Sequence, residues 1–406
     1  MLARDRDEAA RASTPLELLF DLCFVVAVAQ AAGRLHHAFA EGGGHVGGGV
    51  LSFLLVFFAI WWGWMNFTWF ASAYDTDDVP YRLLTLVQIA GVLVIAAGVP
   101  KAFDRRDYVL VATGYVLLRA SMVSQWLRAA LDYPAGRRVS LRFAAGIAAV
   151  QAGWVVWVLA VPHGWKLAGF IFLALMELAV PVFAESAGPP TAWHPEHIAE
   201  RYGLFTLIVL GEVVAAATST VQSAVTAGGV SAQLLVVAFG GLLLIFALWW
   251  SYFDHPAGEG LRRGPSGSGF RWGYGHVLVF ASLAAIGAGL QVAAETAGHH
   301  TSLSDRSAAL ALAVPTAVYL AVVGVLHSWV NRRDLLLLPR YWAAALLVLL
   351  VAALTPAIPV APAVALIGLT VAGLIALDLI RPPRPRRQQP SQLRGSARPA
   401  PRQARQ

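Results

Sequence analysis

The chain has 406 residues, 58% of them hydrophobic and only 13% charged, with a formal net charge of +7 and a mean hydropathy of +0.63. That is more apolar surface than a water-soluble core of this size can hide, so the composition excludes a soluble protein and implies an integral membrane protein. A single cysteine, Cys23, excludes an intrachain disulfide and a thiolate metal site.

Taken in chain order, the charged opening "MLARDRDEAARAST" has no cleavable signal peptide behind it. Apolar runs of about 18 to 25 residues, enough for a helix to cross ~30 Å of hydrocarbon, then recur twelve times. They fall at 15–38, 48–73, 82–100, 107–128, 140–161, 165–184, 198–222, 232–253, 271–295, 307–330, 337–355 and 360–380. The runs are continuous rather than alternating at period two, which argues against a transmembrane β-barrel. They predict an all-α, polytopic transmembrane helix bundle. The last two are separated only by "TPAIPVAPA". The tail "RPPRPRRQQPSQLRGSARPAPRQARQ" has no apolar period to pack and is expected to be disordered.

Assigning loops alternately places 23 of the 30 lysines and arginines on one side and six on the other, leaving Arg119 inside a run. Both termini are therefore expected in the cytoplasm of a cell bounded by this inner membrane. "PKAFDRRD", with Lys101, Arg105 and Arg106, dissents. The basic balance thus reads as contact with membrane lipids rather than with nucleic acid.

Two stretches repeat. "AIWWGWMNF" in the second run and "ALWWSYFDH" in the eighth align at an offset of 188, placing Trp61 and Trp62 on Trp249 and Trp250; the first and seventh runs align at 185. Six helices per half is an even number, so the halves would be parallel repeats related by an axis along the membrane normal. The expected organisation is a cytoplasmic segment 1–13, a first six-helix half 14–184, a cytoplasmic linker 185–197, a second half 198–380 and the tail 381–406.

Ionisable residues inside apolar runs cost ~2.5–3.5 kcal/mol near the bilayer centre and need a reason. Glu17 and Asp21 share one helix face at i, i+4. "STPLE" reads as a helix start with Ser13 or Thr14 as cap, which accounts for Glu17 and leaves Asp21 for function or a buried ion pair. In "HIAERYGLFTLIVLGE", taking His197 as zero, Arg201 lies at about 40° and Glu212 at about 60° on a helical wheel, with Glu200 at about 300°. Glu212 is ~16 Å deeper than Arg201, so it needs another partner, a proton or a cation. Arg119 and His276 are the candidate partners, and Gln88, Gln125, Gln151 and Glu177 are further polar groups for the bundle interior.

"STPLELLFDLCFVVAVAQ" (Ser13 to Gln30) and "HIAERYGLFTLIVLGE" (His197 to Glu212) resemble the two signature segments of the bacterial low-temperature-requirement A proteins. The matches include Glu17, Phe20, Asp21 and Gln30 in the first, and His197 through Arg201, Gly203 to Phe205, Gly211 and Glu212 in the second. Cys23 and Val213 depart from the pattern, where an aliphatic residue and a serine are usual. The resemblance implies a polytopic membrane protein and assigns no reaction.

No nucleotide, nucleophile or cofactor motif is present, and the HExxH order of a zinc protease is absent. "HPEH" offers His194 and His197 beside Glu200, but Pro195 begins the helix and leaves His194 outside it. His36, His37, His45, His299 and His300 fall on the outer side, as a metal or pH-sensing cluster or simply solvated. The tryptophans read as interface anchors, with Trp61, Trp62, Trp249 and Trp250 available to line a cavity. The leading expectation is a non-enzymatic secondary transporter of a small molecule or ion, in which Asp21 and Glu212 face an interior cavity. A membrane enzyme of lipid chemistry, using His197, Glu200 and Glu212, and a non-catalytic scaffold stay open, as does assembly into a homo-oligomer.

Overall fold

The computed structural model describes residues 1–4, 12–188, 191–227, 231–263, 268–330 and 336–380. Among them, twelve long helices account for the twelve apolar runs: α1 (Pro15–Glu41), α2 (His45–Ala73), α3 (Val79–Arg105), α4 (Val109–Asp132), α5 (Arg137–Ala160), α6 (Lys166–Glu185), α7 (Pro195–Ala227), α8 (Ala232–Phe253), α9 (Ser268–Ala297), α10 (Asp305–Val330), α11 (Leu337–Ala353) and α12 (Val360–Leu379). A short helix, Ala257–Arg263, which the hydropathy pattern does not show, joins α8 to α9. The strand content among the described residues is a two-residue antiparallel pairing of Leu2–Ala3 with Tyr74–Asp75. The basic tail lies outside the described residues.

Ten helices are long and apolar enough to cross a membrane. The other two have evident physical reasons to fall short. α4 carries Arg119, Gln125 and Arg128, and α11, with 17 residues, reaches only about 26 Å. α3 runs on past Pro100 to Arg105, so Lys101 and Arg105 belong to its last turns rather than to a loop. Asp104 there pairs with Arg34 of α1 at 3.0 Å.

Four neighbour pairs among the first six helices recur in the second six, although the close packing of α8 on α12 has no match between α2 and α6. α1 packs on α3, α3 on α4, α4 on α5 and α5 on α6; likewise α7 packs on α9, α9 on α10, α10 on α11 and α11 on α12. The tightest of these seams use small residues. A Cβ on Gly91 of α3 would stand 2.7 Å from the Gly114 carbonyl oxygen of α4, and one on Gly114 would stand 2.4 Å from the Gly91 oxygen. Gly289 of α9 makes the corresponding approach to the Ala311 carbonyl of α10, at 2.5 Å. In lipid the hydrophobic effect does not press helices together, so close backbone approach supplies the attraction instead. The two sets of six meet through α1, which packs on α7 and α9, and through α2, which touches both of these.

Gly114→Ala should therefore destabilise the folded protein by about 1–3 kcal/mol, the usual cost of overpacking. Gly211, whose added Cβ would meet nothing within 4 Å, should accept alanine without loss. Thermal unfolding of the two variants in detergent reads the difference.

Candidate functional site

Both charged segments begin their helices at the same end of the bundle, and this is where they meet. α1 starts with a capping box: the Thr14 side chain accepts from the Glu17 backbone N–H while the Thr14 backbone N–H donates to Glu17 Oε2 at 2.7 Å. Pro15 occupies the first turn, where its missing N–H costs nothing. α7 starts at Pro195, and the backbone N–H of His197 donates to His194 Nδ1 at 3.3 Å. His194 is thus a cap to α7.

One turn further in, the two helices exchange charge. Arg201 donates through Nη2 and Nε to the two oxygens of Asp21, at 2.5 and 3.2 Å. Its Nη1 lies 3.2 Å from Glu17 Oε1, which is also 3.3 Å from His197 Nε2. α2 completes the shell: Trp64 Nε1 donates to Asp21 Oδ1 at 2.7 Å, Thr68 Oγ1 lies 3.4 Å from Arg201 Nη2, and the Phe67 ring lies under the guanidinium. Glu17, Asp21, His197 and Arg201 are all at most 1% exposed. Two carboxylates face one guanidinium here, so the quartet is neutral overall when the His197 ring carries a second proton and bears one negative charge when it does not. Glu200, on the other side of α7, accepts from the Ser13 backbone N–H at 3.3 Å.

A second buried pair stands inside the first six helices. Arg119 of α4 donates to Glu177 of α6 at 2.9 Å, both 1% exposed. Glu177 also accepts from Trp62 Nε1 at 2.8 Å and Trp154 Nε1 at 3.2 Å, and Arg119 reaches the Tyr115 hydroxyl at 3.3 Å. Gln88, Gln125 and Gln151 are buried nearby in sequence on α3, α4 and α5, as expected of groups turned inward.

Several expectations are corrected by this geometry. Arg119 is committed to Glu177, and His276 to the Tyr252 hydroxyl (3.0 Å) and the Trp272 carbonyl (2.7 Å), so neither serves Glu212. Asp21 is sealed in an ion pair and lines none of the described cavities. Trp249 and Trp250 are 43% and 42% exposed on the outer surface and cannot line an interior site, whereas Trp61, Trp62 and Trp64 are buried side chains rather than interface anchors. Trp61 itself packs against Trp62 and Tyr274 and lines no described cavity. The outer histidines form no single cluster: His36 pairs with Glu295 at 2.9 Å and His45 lies 3.7 Å from Glu41. Among the described residues no group of three or more side chains is placed to hold a metal.

Glu212 stands apart from all of these. It lines a cavity of about 310 Å³ between α1, α7 and α9, walled by Ala29, Ala32, Gly33, Ala216, Ala284, Gly287 and Ala288, with Ser219 and Gln291 as its other polar groups. Gln291 of α9 reaches the Ala216 carbonyl across it at 3.5 Å. Among the described residues Glu212 has no ion-pair partner.

The fold and its buried charges define a polytopic α-helical membrane protein whose two charged segments lock the first and seventh helices together. The chain belongs to the bacterial low temperature requirement A protein family, whose pattern matches residues 12–378, both segments included. It is 29% identical over 263 residues to an uncharacterized protein of Rhizobium meliloti (strain 1021), a match spanning 62% of this chain and 60% of that relative.

Removing one member of a buried ion pair strands the other, at a cost of about 3–5 kcal/mol. Arg201→Gln, which strands Asp21 and Glu17 together, should lower the stability of the purified protein by that order, and Asp21→Asn, which leaves Glu17 beside Arg201, by less. The double variant should recover part of the Arg201→Gln loss, because one of the two stranded carboxylates is gone and Glu17 alone remains, beside His197. A thermodynamic cycle over the four proteins measures the coupling.

Proposed function

We propose that the protein is a secondary permease of the bacterial inner membrane, with both termini in the cytoplasm, that binds a coupling proton or cation at Glu212. One contrast carries the reading. Glu17, Asp21 and Glu177 are each matched by arginine and closed off, while Glu212, near the middle of α7, has no ion-pair partner among the described residues and opens onto a cavity. A carboxylate in an apolar span is retained only against a cost. An ion pair repays that cost for the other three; a proton or a bound cation repays it for Glu212.

The surroundings suit the role. Glu212 lies seventeen positions past Pro195, about 25 Å along α7, well away from the polar start of the helix. Its walls are small residues, and at ~30 Å³ per water the cavity has room for about ten waters. The ionic quartet at the other end of the α1–α7 contact is a fixed frame in this reading, not part of the path. The excess of lysine and arginine on one side supports the orientation.

The test is a thermal-shift screen of the purified chain beside Glu212→Gln, against cations, small metabolites and lipids at two pH values. A water-soluble solute should stabilise the wild type in a pH-dependent way, by about 2.7 kcal/mol at 100 times its dissociation constant, and leave the folded variant unmoved. That solute then serves for flux measurements in proteoliposomes. Stabilisation of both proteins by lipids alone would point to lipid chemistry, and unfolding of Glu212→Gln without any ligand response would point to a scaffold.

A further inference from the structure

The largest described cavity is a different one, walled in part by Ala199, Glu200, Gly203, Leu204 and Leu207 of the second signature segment. It measures about 560 Å³ and lies between α7, α8, α9, α10 and the short helix Ala257–Arg263, a volume typical of small-molecule sites. We propose that it binds a protonated organic amine carrying an aromatic or aliphatic body. This inference is independent of any role for Glu212, which lies outside the cavity.

The charge of the lining selects the ligand. Among the described residues no lysine or arginine lines the cavity, whereas Glu196, Glu200 and Glu259 do. Glu196 is engaged by Arg262 and Glu259 by Arg263, so these two pairs are balanced. Among the described residues Glu200 accepts a backbone N–H, from Ser13 at 3.3 Å, and pairs with no cation, so its negative charge is left for a ligand. An anionic ligand would find no lysine or arginine among the described residues of the wall.

The neutral polar groups agree. The Trp272 carbonyl can only accept, so the His276 Nδ1 facing it at 2.7 Å carries the proton. On a neutral ring the other nitrogen then accepts from the Tyr252 hydroxyl, 3.0 Å away. This turns the Tyr252 proton toward His276 and leaves the hydroxyl oxygen as an acceptor. His327, only 6% exposed, holds an Nδ1 with no hydrogen-bond partner among the described residues, and its ring lies 4.8 Å from that of His255. The rest of the wall is apolar or aromatic, including Leu204, Leu207, Phe253, Trp272 and Leu326. Aromatic faces attract cations as well as covering a hydrocarbon body.

Three probes of one shape separate charge from fit: 2-phenylethylamine, 2-phenylethanol and phenylacetate, each titrated into the purified full chain near neutral pH by calorimetry and thermal shift. The amine should raise the melting temperature and bind at least tenfold more tightly than the alcohol or the acid. Glu200→Gln should weaken the amine at least tenfold, and Leu204→Trp, which fills the cavity, should abolish its binding. Equal binding of amine and acid, no response to the amine, or wild-type amine affinity in a Leu204→Trp protein whose own melting temperature is unchanged would each overturn the proposal. Wild-type probe selectivity decides the charge question even where a variant fails to fold.

Discussion

A guanidinium taken out of water governs the end of the bundle where α1 and α7 begin. Arg201 is completely buried, and moving such a group from water costs several kcal/mol unless its donors are met. Asp21 meets two of them and Glu17 lies close to a third. These acceptors belong to α1, the guanidinium to α7, and the indole that completes Asp21 to α2. Three helices are therefore fixed in register by one side chain. The capping box of α1 contributes to the same arrangement, since Glu17 closes its own helix with one oxygen and turns the other toward Arg201 and His197.

α2 extends this constraint across the molecule. Trp64 donates to Asp21 and Trp62 donates to Glu177. Two residues apart on a helix, their side chains diverge by about 200°, so the indoles leave α2 on opposite sides. One helix thus joins the α1–α7 ionic network to the Arg119–Glu177 pair between α4 and α6. Neither pair is strong evidence for stability alone, because desolvation offsets much of the attraction. Their effect is on geometry: a slip of α2 along its axis would withdraw an indole donor from both carboxylates together. The glycine seams at Gly91–Gly114 and Gly289–Ala311 hold the remaining helices by contact rather than charge.

The bundle was legible from hydropathy because lipid demands long continuous apolar helices. The cap at Thr14 was legible because it is local, as was the start of α7 at Pro195. What crosses between helices was not. A helical wheel places Arg201 and Glu212 on nearby bearings of one helix, yet Arg201 faces α1 and α2 while Glu212 faces a gap between α1 and α9. The wheel cannot show which neighbour each bearing meets. Trp249 and Trp250 illustrate the same limit. Their match to Trp61 and Trp62 suggested an interior role, but α8 turns Gly240 against α12, where an added Cβ would lie 2.7 Å from the Ala365 backbone. Trp249 follows Gly240 by nine residues, about half a turn round the helix, and so faces outward. Glycine contact with α12, rather than the tryptophan motif, sets the rotation of α8.

The α1–α7 contact consequently differs along its length. At its start the facing side chains are long and of opposite charge, and a displacement there must separate buried charges. Toward Glu212 the walls are alanine and glycine, with no ion pair across the gap. Small side chains make few interlocking contacts to break, and a polar bridge such as that from Gln291 to the Ala216 carbonyl, at 3.5 Å, is weak. The stiffness of the pair is thus concentrated at one end and the unmatched carboxylate sits toward the other. On the proposed reading Glu212 binds and releases a charge, which needs surroundings that can relax around either state, and the small-residue end of the seam suits that where the ion-locked end does not.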